Sequence, residues 1–144
     1  MDLSIIIPSY NTRALLERCL TSIFVSLKSS HILYEVIVVD NASGDGSPEL
    51  VRNKFPQVHL VCNKVNVGYG KANNQALHKA RGTHVLLLNS DIVVQNDAIG
   101  VLYRFVKDKD KVFAGGKLFN EDGSLQPSCG PFFTIPMTAL MLFA

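Results

Sequence analysis

Asn89-Ser90-Asp91 breaks an aliphatic run, Leu86 to Val94, with three polar side chains. A carboxylate set among aliphatics is costly unless a cation or a set of donors meets it. Asp91 is a hard oxygen ligand, of the kind that holds Mg2+ or Mn2+ shared with a diphosphate. Three more polar clusters follow aliphatic runs in the same way. They are Pro8-Ser9-Tyr10-Asn11 after LSIII, Asp40-Asn41-Ala42-Ser43 after YEVIVV, and Asn66-Val67-Gly68-Tyr69-Gly70 after VHLVCN. Tyr10 offers an aromatic face for a base. Asp40 accepts a hydrogen bond of the kind a pyrimidine N–H donates.

The aliphatic runs are short enough for strands, and between them lie stretches with helical spacing. Leu15, Leu16, Cys19, Leu20, Ile23, Phe24 and Leu27 form one apolar stripe behind Thr12, which can cap that helix. Ser47-Pro48-Glu49 reads as an N-cap with Pro at the first helical position, opening a helix to Lys54. Ala72, Ala76, Leu77 and Ala80 line a third helix, stopped by Gly82. Asn96 can cap a fourth, in which Ile99, Leu102, Phe105 and Val106 are apolar. KVFAGGKLF reads as a fifth strand. It is followed by turn residues Asn120-Glu121-Asp122-Gly123 and a short extended SLQP. Solidly aliphatic strands alternating with helices predict a mostly parallel sheet covered on both faces, in one α/β domain over 1–144. In such sheets ligands bind beyond the carboxyl ends of the strands, which is where the four polar clusters fall.

Composition narrows the chemistry. Hydrophobic residues make up 47% of the 144 and charged residues 18%, an ordinary globular balance. A net charge of +2 with no Lys/Arg run gives no argument for nucleic acid. Cys19, Cys62 and Cys129 are scattered without metal-ligand spacing, which suits a reducing compartment, and Cys19 and Cys62 read as core residues. The dinucleotide fingerprint GxGxxG is missing after the first strand, and GxxxxGK[ST] occurs nowhere. Hydride transfer and Walker-type ATP hydrolysis both lose support. What remains is a nucleotide held by side chains, with a metal on its phosphates.

SIIIPSYN, VVDNASGDGS, NVGYGKANNQAL, LLLNSDIVV and GGKLFNEDGSLQPS, in this order, resemble the nucleotide-binding part of family 2 glycosyltransferases, with rhamnosyltransferase-like members the nearest in look. The resemblance implies the GT-A fold, a Rossmann-like three-layer α/β architecture. It implies that Pro8, Ser9 and Tyr10 line the nucleotide pocket and that Asp40 contacts the base, with Asn41 and Ser43 beside it. Asn66 and Gly68 approach the nucleotide, with Lys71 and Asn74 as further neighbours. Asn89-Ser90-Asp91 stands where the family has Asp-x-Asp. Asn89 and Ser90 then belong to the nucleotide-sugar site, and Asp91 keeps the metal, Mg2+ or Mn2+. The implied reaction is an inverting transfer of a hexosyl or rhamnosyl group from a UDP- or dTDP-sugar to a glycan or lipid-linked acceptor. The setting is polysaccharide and cell-wall synthesis, in the cytoplasm or at the inner face of the membrane. The family's general base lies well after the metal motif. Glu121-Asp122 comes too soon and reads as an exposed hairpin turn, so the base is expected beyond Ala144, in a chain cut from something longer.

Plainer readings compete. Tyr10 alone is as well read as a rim aromatic packing on the first helix, and Asp40 alone as a turn acid. Asp45 reads as the solvent face of a turn, and Gly70 as a loop shaper. His31, His59, His78 and His84 show no ligand spacing and read as structural or surface residues. A catalytically inert nucleotide-sugar-binding module is the second functional reading. A sugar nucleotidyltransferase is a third, but it wants a glycine- and arginine-rich loop where PSYNTR stands. The apolar end, PFFTIPMTALMLFA, reads as part of an acceptor half or as a surface for self-association.

Overall fold

The computed structural model of the chain describes residues 1–127. Two compact units divide the chain, Met1–Phe113 and Ala114–Ala144. The first contains β1 (Leu3–Ser9), α1 (Arg13–Leu27), β2 (Tyr34–Asp40), α2 (Ser47–Lys54), β3 (His59–Cys62), α3 (Tyr69–Leu77), β4 (His84–Leu87) and α4 (Ala98–Val106). Its four strands form one parallel sheet in the order β3-β2-β1-β4. Ile6 of β1 stands between Ile37 of β2 and Leu87 of β4, which sets the register.

Side chains alternate across the strands and feed two cores. Leu3, Ile5 and Ile7 of β1, with Val36 and Val38 of β2, pack against Leu16, Cys19, Leu20, Ile23 and Leu27 of α1, Val51 of α2 and Ile99 of α4. The other face carries Ile6, Ile37 and Val39 against Ala72 and Ala76 of α3, whose small side chains let that helix lie close. Each fully buried aliphatic side chain contributes about 1.5–3 kcal/mol. The unbroken aliphatic runs of β1 and β2 therefore follow from helices on both faces.

Pro8 decides where the sheet opens. Leu88 N donates to Ile6 O at 2.9 Å, so Ile6 faces β4. Two residues on, Pro8 faces the same way and has no N–H to give, and the β1–β4 ladder stops. On the other side Asn41 N still donates to Ser9 O at 2.8 Å, so β1 and β2 stay zipped to their ends. Strands β2 and β3 were laid down on one side of β1 and β4 on the other. The strand order therefore reverses at the β1–β4 seam, which splays at its carboxyl end.

The opposite end of the sheet is locked by a buried acid. Glu35, at 6% exposure, accepts from Ser4 Oγ at 2.7 Å, Arg81 N at 2.7 Å, Arg81 Nε at 3.0 Å and Arg81 Nη2 at 2.8 Å. Burial pushes its pKa up, but these hydrogen bonds and the guanidinium charge outweigh it and hold the carboxyl below its ordinary range. Gly82 fits against this lock, because a Cβ there would stand 2.5 Å from Ser4 N.

Several local expectations are corrected. Thr12 sits at the N-cap of α1 but makes no side-chain cap bond, because its hydroxyl is engaged across the cleft. Gly46, at φ 83°, takes the N-cap place of α2 in the left-handed conformation, and Ser47 is already helical. Asp97, not Asn96, precedes α4. Helix α3 ends at Leu77, and Gly82 answers to close packing, not to a cap. Phe105 of α4 is exposed. Cys62 is exposed beside Arg52 Nη2, unlike Cys19, which lies in the core.

The fifth strand shrinks to β5 (Leu118–Phe119), paired antiparallel with β6 (Leu125–Gln126) in the second unit. The glycine pair 115–116 offers no side chain to pack and weakens extended pairing. In the turn between these strands, Asp122 accepts from Ser124 N and Oγ, as turn chemistry predicts. Cys129 and the apolar end expected to self-associate lie outside the described residues, and the expected general base would lie beyond the chain. Among the described residues no helix is long and apolar enough to cross a membrane.

Candidate functional site

The splayed seam is a cleft of about 640 Å³, all of it within the first unit. From the end of β1 come Pro8, Ser9 and Tyr10, from β2 Asn41, from the loop before α3 Asn66 and Gly68, and from the end of β4 Asn89, Ser90 and Asp91. All nine are residues that the sequence singles out. Asp40, Ser43, Lys71 and Asn74 were expected there too, but they do not line the cleft. Lys71 and Asn74 sit on an exposed side of α3. Thr12, Leu15 and Tyr69 line it without having been expected. Thr12 and Tyr69 are embedded in the polar clusters. Leu15 reads in sequence as one more member of a core stripe.

Asp40 lies beneath the floor at 2% exposure. Its Oδ2 accepts from Ser43 N at 2.9 Å, while its Oδ1 is buried without a hydrogen-bond partner among the described residues. The turns carrying Tyr10 and Asp40 are clasped together. Asn11, at φ 52°, donates its N–H to Ser43 Oγ at 2.9 Å and accepts from Gly44 N on its Oδ1 at 2.9 Å. Asp45 accepts from Arg13 N at 2.8 Å, Ser47 N at 3.0 Å and Ser47 Oγ at 2.6 Å. Partial burial raises its pKa, but these bonds prevail and hold it low. Asp45 is therefore a clasp between the first two loops, not an idle turn acid.

Helix α1 holds the end of β4. Cys19 Sγ contacts Asn89 O at 3.6 Å, and Ser22 Oγ accepts from Val94 N at 2.9 Å. Burial, followed by the charge of Asp91, pushes the Cys19 thiol up to about 12, so it stays protonated and unreactive. Thr12 Oγ1 donates to Ser90 Oγ at 3.0 Å. A hydroxyl has one hydrogen, so in the 2.9 Å contact between Ser9 and Thr12 it is Ser9 that donates. The relay leaves the Ser90 proton unassigned at the cleft wall. Asn89 Oδ1 accepts from Tyr69 Oη at 3.0 Å. Asp91 is exposed, and its carboxylate has no hydrogen bond or ion pair among the described residues.

On the α3 side, Asn66 Oδ1 accepts from Gly68 N at 2.9 Å, and Gly68 takes φ 84°, which only glycine adopts freely. Behind the floor, Asn63 Nδ2 donates to Asn41 Oδ1 and to Gln75 Oε1, both at 2.9 Å, and Asn63 Oδ1 accepts from Gln75 Nε2 at 3.1 Å.

Among the described residues no Lys or Arg lines the cleft, and the one charged residue lining it is Asp91. What favours an anion here is the positive ends of two helices, since Thr12 and Gly68 at the N-termini of α1 and α3 both line it. A diphosphate beside Asp91 needs a cation between the two. The donors around the spot are the Asp91 carboxylate and the Ser90 hydroxyl. Among the described residues no group of three His, Cys, Asp or Glu forms a complete metal cage. One carboxylate with phosphate and water completing the shell is how Mg2+ and Mn2+ are commonly held, so the residues fit such an ion.

Relatives of this chain share its make-up. Glycosyltransferase GlyG of Streptococcus pneumoniae is 30% identical over 125 residues, 85% of this chain and 40% of the relative. The poly(ribitol-phosphate) beta-glucosyltransferase of Bacillus spizizenii is 32% identical over 127 residues, 85% of this chain and 20% of the relative. The chain thus spans less than half of either relative's length. Among solved structures, the mannosyltransferase PcManGT of Pyrobaculum calidifontis, in complex with GDP-Man and Mn2+, superposes with a TM-score of 0.62 at 31% identity, covering 73% of this chain and 31% of that one. Residues 1–349 of S. aureus TarS, in complex with UDP-GlcNAc, give 0.64 at 25% identity, covering 84% and 39%. The parallel sheet is that of the GT-A fold expected from the resemblance. Residues 4–128 match the family described as "Glycosyl transferase family 2", and with a cleft at the carboxyl ends of such a sheet, the chain belongs to that family.

Proposed function

We propose that this cleft binds a nucleoside-diphosphate-sugar, UDP- or dTDP-linked, and that the protein transfers the hexosyl or rhamnosyl group to a glycan or lipid-linked acceptor with inversion. The observation that carries this reading is the pairing, among the described residues, of an unpartnered carboxylate, Asp91, with two helix N-termini on a cleft that no basic side chain lines. The base lies toward β2, with Tyr10 at its face. The donor's phosphates lie toward Ser90 and Asp91. Asp40 Oδ1, left without a donor, accepts from the base once the floor adjusts. A divalent cation held by Asp91 supplies neutralisation of the charge on the departing diphosphate. In the transfer, the acceptor oxygen forms its bond to the anomeric carbon from the face opposite the diphosphate. The bond from that carbon to the diphosphate oxygen breaks, and the acceptor proton passes to a base.

One observation favours a second reading, binding without transfer by this chain alone. Asp91 is the one carboxylate lining the cleft among the described residues, and the reading above gives it to the metal. The name of one relative, a poly(ribitol-phosphate) beta-glucosyltransferase, supports a polymer as acceptor.

The test is a thermal-shift panel of nucleoside diphosphates and their sugars, with and without Mn2+. A metal-dependent rise with UDP or dTDP species is expected, and Asp91→Ala should abolish it. Because Asp91 is exposed and unpartnered among the described residues, that variant's own stability should stay within about 0.5 kcal/mol of the parent. No shift with any nucleotide overturns the reading. Product formation with a glycan acceptor separates transfer from binding alone.

A further inference from the structure

The two edges of the parallel sheet differ. Each end of β3 carries a guanidinium. Arg81 Nη2 lies 3.2 Å from His59 Nε2, and Arg52 Nη2 lies 3.4 Å from Cys62 Sγ. Charge at an edge keeps other strands from adding to it. The edge formed by β4 has no such guard. From Thr83 to Asn89 it holds no Lys, Arg, Asp, Glu or Pro, and among the described residues no strand pairs with its outer side. His84 N donates to Asp2 O at 3.1 Å and Leu88 N to Ile6 O at 2.9 Å, so the even-numbered residues here face β1. Val85 and Leu87 therefore turn their N–H and C=O groups outward. Their side chains share the sheet face of Ile6, which α3 covers over β1 and β2. Beside it Val85 is 42% exposed and Leu87 48%. The same two residues thus present open backbone groups and bare apolar side chains.

What completes such an edge is an extended, uncharged, apolar strand, and β4 is its own complement. With a two-fold axis at Leu86, an antiparallel register sets Val85 opposite Leu87 of the partner subunit. The same axis sets Leu87 opposite Val85 of the partner subunit. All four positions face outward, so each pair exchanges both of its N–H···O bonds. A Val–Leu contact forms with each pair on the exposed face. Pairing β4 with the other edge of a second copy would instead bring apolar side chains against the guanidiniums of Arg52 and Arg81. A head-to-tail fibre is thereby disfavoured, and association closes at two. We propose that the free edge of β4 is a self-association surface, which joins the four-stranded sheets of two copies of this chain into one. Because the joined strands run in opposite directions, the two clefts open at opposite ends of the shared sheet.

The experiment is analytical ultracentrifugation of the whole chain over a range of concentrations. The parent's mean mass is expected to rise with concentration from that of one chain toward that of two. Leu87→Lys places a lysine against Val85 of the partner subunit and raises the dimer dissociation constant about tenfold. Leu87 is exposed, so the variant keeps its fold, which its melting curve checks. Adding Val85→Glu to Leu87→Lys is the decisive variant. In the antiparallel register each new carboxylate faces the partner's new ammonium, so dimerisation returns at low salt and weakens as salt is added. A misfolded or merely less apolar variant would show no such return. A parent that stays at one chain's mass at every concentration overturns the proposal. So does an unchanged dimer in Leu87→Lys, which would put the contact elsewhere. A double variant that dimerises no better than Leu87→Lys overturns it as well.

Discussion

Glu35 is the residue that sequence inspection passes over and the structure makes central. It stands second in an aliphatic strand, where a carboxylate is unwelcome, and its guanidinium partner, Arg81, is 46 residues away. Because folding lowers its pKa, folding favours the ionised form. Its contribution is then fully present above the unfolded value and is lost as pH falls through the folded one. Glu35→Gln should cost about 1–2 kcal/mol at pH 7, discounted because the Arg81 side chain is 60% exposed. Urea titrations of parent and variant are expected to converge as pH drops through the depressed pKa. A constant gap down to strongly acid pH would contradict this account. Asp91 is the opposite case. It was conspicuous in sequence as an acid within an aliphatic run, and it stands where such an acid should, at the mouth of a cleft. Asn63 and Gln75 gave no such sign, since an amide at the end of a strand or on a helix is ordinary until its partner is known.

At the scale of elements, the strands and helices of the first unit followed from periodicity and differ at their ends, whereas the expected fifth strand shrank to Leu118–Phe119. Thr12, Ser47 and Asn96 are reasonable caps by type, yet none of them caps its helix by side chain. The Thr12 hydroxyl instead bonds Ser90, 78 positions along. Gly82 shows the same limit. It reads as a helix stop, but what requires it is the close approach of the chain to β1. Gly82→Ala would set a Cβ 2.5 Å from Ser4 N and 2.7 Å from Leu3 C, both backbone atoms that cannot swing aside. The expected cost is about 1–3 kcal/mol, read as a lower melting temperature, with nucleotide affinity preserved because the clash lies at the far end of the sheet from the cleft. An affinity loss without a stability loss would contradict that division of labour.

At the scale of the whole molecule, both cores and every residue lining the cleft lie in Met1–Phe113. A chain ending at Phe113 should therefore unfold in one cooperative transition and keep the Mn2+-dependent response to UDP. Broad, non-cooperative melting would show that the first unit needs the rest. The α/β class, the parallel sheet and most of the rim were determined by sequence alone. Aliphatic runs and helical spacing are local patterns, and polar residues can only follow such runs where the sheet ends. Only the tertiary structure decided that Asp40 goes under the floor, that Lys71 and Asn74 lie off the cleft, and that Asp45 clasps two loops. It also decided that an amide pair stands behind Asn41. These are contacts between residues far apart in the chain, and hydrogen-bonding partners separated by tens of residues leave no periodic trace in sequence.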